Sequence, residues 1–182
     1  MRGPLYDPLN LELRTLNPET SHTERIFPMG NFIGEVTSPV LVNADGNFEI
    51  APGDLLVYTS GSDSVAPASS VAHGASEAAD QQAVHDKFLG VAHTTAHADG
   101  TPTKLRAALS GVFNMIASGT IQFGSLVGTV TTGTNIESRK VKTVTNKKYA
   151  IGTAQSGATD GQNVQVRIAS VIFDDGRVAI AS

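Results

Sequence analysis

The sequence predicts a mainly β protein: a compact barrel or sandwich with one short helix and an extended N-terminal arm. About eight to ten short apolar segments follow residue 39, at close to the spacing that is typical of sandwiches and barrels. Asp-Gly pairs and isolated glycines separate many of these segments and favour turns. No proline occurs after Pro102, so the later segments keep the backbone donors that a continuous sheet needs.

Residues 1–38 differ from the rest of the chain and are predicted to form an extended arm, followed by a β-rich domain over residues 39–182. Four prolines in this segment bias the residues before them toward extended backbone. Neither helical nor alternating periodicity persists there. The segment nevertheless carries many large apolar side chains, which is not typical of a solvated tail. We therefore expect the arm to lie on its own domain, a neighbouring subunit or a scaffold.

Short strands begin after the arm. Residues 41–43 and 47–50 are predicted to form a hairpin around Asp45-Gly46, because Asp-Gly fits a tight type I′ turn. Residues 54–58 form the next predicted strand. Residues 59–76 are rich in Ser, Ala and Gly and are predicted to be a loop with little to pack.

One short helix is predicted over residues 77–85. Ser76 can cap its N-terminus, and Glu77 and Asp80 lie in its first turn, where carboxylates suit the helix dipole. An apolar strand over residues 88–92 follows the helix.

The second half of the chain continues with strands. Residues 104–109 and 111–116 are predicted to pair with each other after a turn at residues 99–102. The clearest strand covers residues 163–168, where polar and apolar side chains alternate with a period of two. Further strands are predicted around Ile121, Phe123, Leu126, Val130, Val141 and Val144, and over residues 149–154.

The charge is distributed unevenly. Residues 1–100 hold 4 Lys and Arg against 13 Asp and Glu, and residues 101–182 hold 9 against 4, so net charges of −9 and +5 sum to −4. An acidic half and a basic half can attract each other within one chain or between copies. The alternative, which we prefer at this point, is that both charges mix on one folded surface.

Several classes of site are excluded or disfavoured by composition. The chain has no cysteine, which excludes disulfides, thiolate nucleophiles and cysteine-based zinc sites.

The N-terminus lacks an apolar signal region, and no apolar run approaches the roughly 18 residues that a membrane span needs. We therefore expect synthesis in a host cytoplasm and no membrane partner.

No catalytic, cofactor-binding or metal-binding residue is predicted. His93 and His97 have the spacing of two metal ligands on a helix, but they follow a strand-like segment, and exposed loop histidines are the preferred interpretation. The chain contains no G-x-S-x-G motif, and the glycines at 119, 124 and 128 do not match a phosphate-binding loop. A β-fold hydrolase stays open only because Ser, His and Asp are all present.

A basic cluster lies within residues 139–148, where Lys and Arg occupy five of ten positions. An exposed hairpin is the preferred interpretation, followed by a docking patch for an acidic surface such as this chain's own first half. Nucleic-acid binding ranks last, since the net charge is negative and Tyr149 is the only nearby aromatic residue.

The order of five segments resembles that of small phage and prophage proteins, the family of capsid decoration or cement proteins. The segments are Gly53–Tyr58, a short helix that leads into Phe88–Ala92, a strand ending in Gly111-Val112-Phe113, the late segment Ala150–Ala154 and the alternating strand Val164–Ile168. The resemblance covers about residues 40–173.

This resemblance implies a tulip-like barrel on the outer surface of a tailed-phage capsid, where it clamps neighbouring major capsid subunits without catalysis or cofactors. The implied partners are the major capsid protein and copies of the protein itself, as a homotrimer rather than a homodimer, with no nucleic acid. Another phage structural β module, from the tail or a receptor-binding part, is the alternative.

The apolar arm and the basic cluster supply the predicted partner-binding residues. An apolar arm stiffened by proline loses less entropy on ordering than a Gly/Ser tail does, so we expect it to reach a neighbouring subunit. The predicted residues are Leu5, Tyr6, Leu9, Leu11, Leu13, Arg139, Lys140 and Lys142.

Overall fold

The structure is a computed structural model that describes residues 39–59 and 63–170. The elements of this part of the chain are β1 (Val40–Ala44), β2 (Leu55–Tyr58), β3 (Ser64–Pro67), a 3₁₀ turn (Ala68–Ser70), α1 (Glu77–His85), β4 (Phe88–Ala92), β5 (Thr103–Ala108), β6 (Ser110–Ala117), β7 (Leu126–Thr132), β8 (Asn135–Thr143), a second 3₁₀ turn (Lys147–Tyr149), β9 (Gly152–Ala154) and β10 (Asn163–Ala169). The prediction of a mainly β barrel with one short helix is confirmed. The arm lies outside the described residues, so its boundary stays a prediction.

The ten strands form two closed barrels of five strands each, one after the other along the chain. Barrel 1 contains β1 to β5 in the order β1-β3-β2-β4-β5, and barrel 2 contains β6 to β10 in the order β6-β8-β7-β9-β10. Closure pairs every strand on both sides and leaves no open sheet edge for another chain to extend. Each barrel is therefore a self-contained sheet.

The two barrels have the same topology. In each, the first strand is parallel to the third and antiparallel to the fifth, and the second strand lies antiparallel between the third and fourth. The register around the second strand also agrees. Leu56 lies opposite Gly90 of the fourth strand and Pro67 of the third, and Val127 lies opposite Gly152 and Thr143 in the same way. The isolated bridges Ile50–Ala96 and Ile121–Ala158 also correspond. The described chain is thus a structural duplication.

Corresponding positions fill the two cores. Ile50, Leu56 and Leu89 are fully buried in barrel 1, and Ile121, Val127 and Ile151 take the same places in barrel 2. The core of barrel 2 continues without a break into an outer wall of barrel 1, formed by Leu55, Val57, Phe88 and Val91. Because one apolar cluster joins the two barrels, they form a single folded body.

The predicted helix and its cap are confirmed. The Ser76 hydroxyl accepts a hydrogen bond from the backbone N–H of Ala79, and Glu77 and Asp80 lie in the first turn. The alternating strand near the end of the chain is also confirmed as β10, with Val164, Val166 and Ile168 buried.

The predicted hairpin at Asp45-Gly46 is wrong. The strand before it, β1, pairs with β3 and β5, and Ile50 instead forms an isolated bridge with Ala96. Gly46 also lacks the positive φ that a type I′ turn requires. The Asp45 carboxylate accepts a hydrogen bond from the N–H of Asn47, so the dipeptide makes a local turn rather than a strand reversal.

Two other local predictions are also wrong. The segment 59–76, predicted to be an unpacked loop, contains β3, which is buried along its length. The strands predicted at 104–109 and 111–116 do not pair with each other, because β5 and β6 belong to different barrels. The connection between β5 and β6 is one residue long, which is too short for a hairpin, so the chain passes directly from one barrel to the next.

Candidate interaction site at the junction of the barrels

A groove of about 520 Å³ lies between the two barrels. Barrel 1 contributes Asp54 and Ser69 to its lining, and barrel 2 contributes Ile116, Arg139 and Lys140. The lining therefore combines both signs of charge with apolar surface. Within it, Asp54 of the acidic first half meets Arg139 of the basic second half.

Two cations of strand β8 pair with carboxylates of the first half. The Nε of Arg139 donates to Oδ1 of Asp54 at 2.7 Å, and Nζ of Lys142 donates to Oε2 of Glu77 at 2.8 Å. Lys140 instead faces Glu137 of its own strand, with 3.5 Å between Nζ and Oε1. Arg139 and Lys142 thus dock the basic half of the chain onto its own acidic half.

The rest of the basic cluster follows strand β8. Lys147 and Lys148 lie exposed in the second 3₁₀ turn, and Nζ of Lys148 is 4.8 Å from the centroid of the Tyr149 ring. The strands that flank this turn, β8 and β9, do not pair with each other. The cluster is therefore a strand and an exposed turn rather than the preferred hairpin.

Asp80 lies at the centre of a partly buried polar network between α1 and barrel 2. Its side chain is fully buried and accepts hydrogen bonds from the N–H of Gly74 at 2.6 Å and from Oγ1 of Thr131 at 2.7 Å. Nδ1 of His73 is 2.8 Å from its Oδ2. Burial alone would raise the pKa of Asp80, but these hydrogen bonds and the charge of His73 outweigh it and hold the pKa below its ordinary value.

Other side chains of α1 also reach barrel 2. Nε2 of Gln81 donates to the carbonyl of Thr129 at 2.9 Å in a buried position, and Nδ1 of His85 lies 2.6 Å from the carbonyl of Ala150. Val84 of the same helix belongs to the apolar cluster that joins the barrels. Together they make the junction a fixed joint, because bending it would expose apolar surface and break buried hydrogen bonds.

The two histidines that have metal-ligand spacing in the sequence lie outside this junction. His93 and His97 follow strand β4 and are not on a helix, and Nδ1 of His97 lies 3.1 Å from Oε1 of Glu49 in an exposed position. Within the described residues, no three His, Asp or Glu side chains come together in an arrangement that could hold a metal ion. No helix of the same residues is long and apolar enough to cross a membrane.

Sequence reasoning missed part of this site. Asp54, Glu77 and Asp80 were not predicted to join the two halves, although the uneven charge distribution was the available signal. The predicted arm residues Leu5, Tyr6, Leu9, Leu11 and Leu13 lie outside the described residues, so they stay predictions.

The fold defines a class of protein: a tandem of two closed five-stranded barrels with one topology. No family model matches the chain, and no curated protein matches it. A solved structure, that of the head fiber gp8.5 N base in bacteriophage phi29, is similar to this chain with 20% sequence identity and a TM-score of 0.47. The similarity covers 72% of this chain and 94% of that one.

Proposed function

We propose that this protein is a non-enzymatic virion component that binds the outer surface of a tailed-phage capsid and cements neighbouring major capsid subunits. The observation that carries the proposal is the fixed joint between two closed barrels. A body that is rigid before it binds loses little conformational entropy when it binds. Closed barrels also protect such a protein from edge-to-edge polymerisation while it accumulates at high concentration.

The resemblance to capsid decoration proteins supports this role. Its segments are distributed over both barrels, with Gly53–Tyr58 and Phe88–Ala92 in barrel 1 and the remaining three in barrel 2. The resemblance therefore concerns the whole described body. Cementing follows from simple linkage, because a protein that binds only the mature lattice stabilises that lattice by mass action. Contacts with two or three subunits at once multiply weak individual affinities.

The proposal assigns the contact with a neighbour to the arm over residues 1–38. Its apolar residues Leu5, Tyr6, Leu9, Leu11 and Leu13 would bind a capsid subunit or another copy of the protein, in a homotrimer. The body of the protein would then act as the rigid support for the arm.

Co-sedimentation tests the proposal directly. The full-length protein is mixed at increasing concentration with expanded and with unexpanded capsids of the phage that encodes it. We expect saturable binding to the expanded capsids and a higher temperature of capsid disruption once the sites are filled. An absence of binding to either form contradicts the proposal. Its non-enzymatic part is contradicted by an esterase activity of the purified protein in a generic screen.

A further inference from the structure

The outer wall of barrel 1 carries an exposed leucine beside two cations. Leu41 on β1 lies directly opposite Arg106 on β5, and Lys104 precedes Arg106 by two residues on the same strand. Leu105 and Ala107 are buried in the core, so strand alternation places both cations on the outer face. Leu41 is 66% exposed, and no salt bridge among the described residues involves either cation. We call Leu41, Lys104 and Arg106 the outer patch.

The last strand of barrel 2 ends on barrel 1, close to this patch. The N–H of Ser170 donates to the carbonyl of Leu109 at 2.7 Å, and its hydroxyl donates to the carbonyl of Phe88 at 3.5 Å. Ser170 itself is buried. Leu109 directly follows β5 and comes three residues after Arg106, and three residues span at most about 11 Å. The described body therefore ends beside the outer patch.

The ladder of β10 cannot continue along barrel 1. Strand β10 pairs with β6 in antiparallel register as far as Ala169 opposite Ser110, so a longer β10 would next run along β5. Both edges of β5 are already occupied, one by β1 and the other by β4. The ladder therefore ends at Ser170, at the end of the strand that carries the two cations of the outer patch.

The sequence after Ser170 complements the outer patch in chemistry and in reach. It begins with Val-Ile-Phe, and Asp174 and Asp175 follow. Five extended residues span at most about 18 Å, which is enough to bring both carboxylates from Ser170 to Arg106. An apolar run followed by two acids thus matches an exposed leucine beside two cations that have no carboxylate partner in the described residues.

We propose that residues 171–182, which lie outside the described residues, are a strap that crosses the outer wall of barrel 1 and covers the outer patch. Its apolar side chains contact Leu41, and its two aspartates bind the cations of the patch. Arginine makes strong, paired hydrogen bonds to carboxylates. Because the strap belongs to the same chain, its effective concentration at the patch is high. Strand β1 directly follows the predicted arm, so a strap over β1 also fixes the root of the arm.

The absence of cysteine from the sequence allows a direct test by cross-linking. Leu41→Cys and Phe173→Cys are introduced together into the full-length protein, which is then oxidised at low protein concentration. A disulfide requires Cα atoms within about 7 Å. We expect an intramolecular disulfide, identified by mass spectrometry after proteolysis. It should form at least about tenfold faster than in the control pair Phe123→Cys with Phe173→Cys, because the strap holds the first two thiols together.

A second measurement follows the exposure of the outer patch. The reaction rate of Leu41→Cys with a maleimide is compared in the full-length protein with and without Ile172→Ser and Phe173→Ser. We expect these changes in the strap to raise the rate at least about tenfold, since a covered thiol reacts only after local opening. Phe123→Cys, at a site that is 73% exposed in barrel 2, should react equally fast in both proteins. Circular dichroism verifies that every variant is folded.

Charge reversal tests the acidic part of the strap. Replacing Asp174 and Asp175 by Lys should also speed the labelling of Leu41→Cys, because like charges then face each other. Adding Arg106→Glu with Lys104→Glu should restore slow labelling, since the charges become complementary again. Lys147→Glu with Lys148→Glu makes the same change in net charge on an exposed turn of barrel 2 and should not restore it.

The other outcomes overturn the proposal in different ways. If both cysteine pairs cross-link equally fast and the changes in the strap leave the labelling rate unaltered, the strap does not exist. A disulfide that joins two chains, seen as a dimer without reductant, makes a second copy the occupant of the patch. A faster disulfide between Leu41→Cys and Phe32→Cys makes the arm the occupant. These measurements use the purified protein without capsids, so their failure leaves the proposed function standing.

Discussion

Barrel 1 and barrel 2 have corresponding cores but different outer walls. On strand β4, Phe88 and Val91 are buried on the outside of barrel 1. The corresponding positions around Gly152 in barrel 2 hold Ala150 and Thr153, a small residue and a polar one. The interior is therefore kept in both barrels, whereas these two outward-facing positions hold large apolar side chains only in barrel 1, where they join the shared apolar cluster.

This difference shows which constraints act on each position of a duplicated fold. Positions inside a closed barrel must fill the same volume in both copies, so both keep aliphatic side chains there. The side chains at outward-facing positions depend instead on what packs over that part of the barrel. The outer wall of barrel 1 packs against barrel 2. On the second strand of barrel 2, by contrast, the carbonyl of Tyr149 lies directly over Gly128 and leaves no room for a side chain.

The largest expected effect is at the wall that joins the barrels. Phe88→Ala removes a fully buried ring from the shared cluster, and we expect a loss of about 3–5 kcal/mol in the free energy of unfolding. Urea denaturation followed by circular dichroism measures it. Phe123→Ala is the control, with an expected loss below about 0.5 kcal/mol because that ring is 73% exposed. Similar losses in both variants would show that the wall does not hold the barrels together.

A smaller and symmetric effect is expected at the paired glycines of β4 and β9. A Cβ added to Gly90 would overlap the carbonyl oxygen of Ala108, and one added to Gly152 would overlap that of Arg167. Each carbonyl belongs to the neighbouring fifth strand, which would have to move away. We expect Gly90→Ala and Gly152→Ala each to cost up to about 3 kcal/mol.

The same denaturation experiment includes Gly157→Ala as a control. A Cβ there would meet the carbonyl of Ile121 at 3.6 Å, an ordinary contact, so little change is expected. A large loss at Gly90 with none at Gly152 would contradict the equivalence of the two barrels.

The strands and the helix could be predicted from local pattern, but the duplication could not. The duplication leaves only short traces in the sequence, such as a glycine just before the second strand of each barrel. The N–H of Gly53 donates to the carbonyl of Ala92 at 2.8 Å, and the N–H of Gly124 donates to the carbonyl of Ala154 at 2.9 Å. The segments that connect the equivalent strands differ in length, and α1 has no counterpart in barrel 2. No fixed sequence period therefore exists. Strand β3 was missed for a related reason, because its Ser, Ala and Pro residues have the composition of a loop.

The candidate site was predicted in part, for a physical reason. The sequence indicated that an acidic half and a basic half could attract each other, but which charges meet depends on the long-range packing of α1 and β8. Arg139 and Lys142 were predicted to bind a partner, and the structure places them against Asp54 and Glu77 of the same chain. Whether they also contact a second protein stays a prediction.

The smallest of the expected effects concerns Asp80, which has no counterpart in barrel 2 because α1 belongs to barrel 1 alone. Asp80→Asn replaces the acceptor of the Thr131 and His73 hydrogen bonds by an amide, and we expect a loss of about 1–2 kcal/mol at pH 7. Because the folded pKa of Asp80 lies below its ordinary value of 3.8, the unfolded chain binds its proton first as the pH falls.

The stability that Asp80 contributes is therefore fully present above its ordinary pKa and is lost as the pH falls through the lower folded pKa. The difference between the two proteins in free energy of unfolding should stay constant from pH 7 to about pH 5 and shrink in more acidic solution. Asp86→Asn, an exposed change at the end of the same helix, should show neither the loss nor the pH dependence. A difference that grew toward acid would mean that Asp80 is protonated in the folded protein, and the link between α1 and barrel 2 would then not depend on its charge.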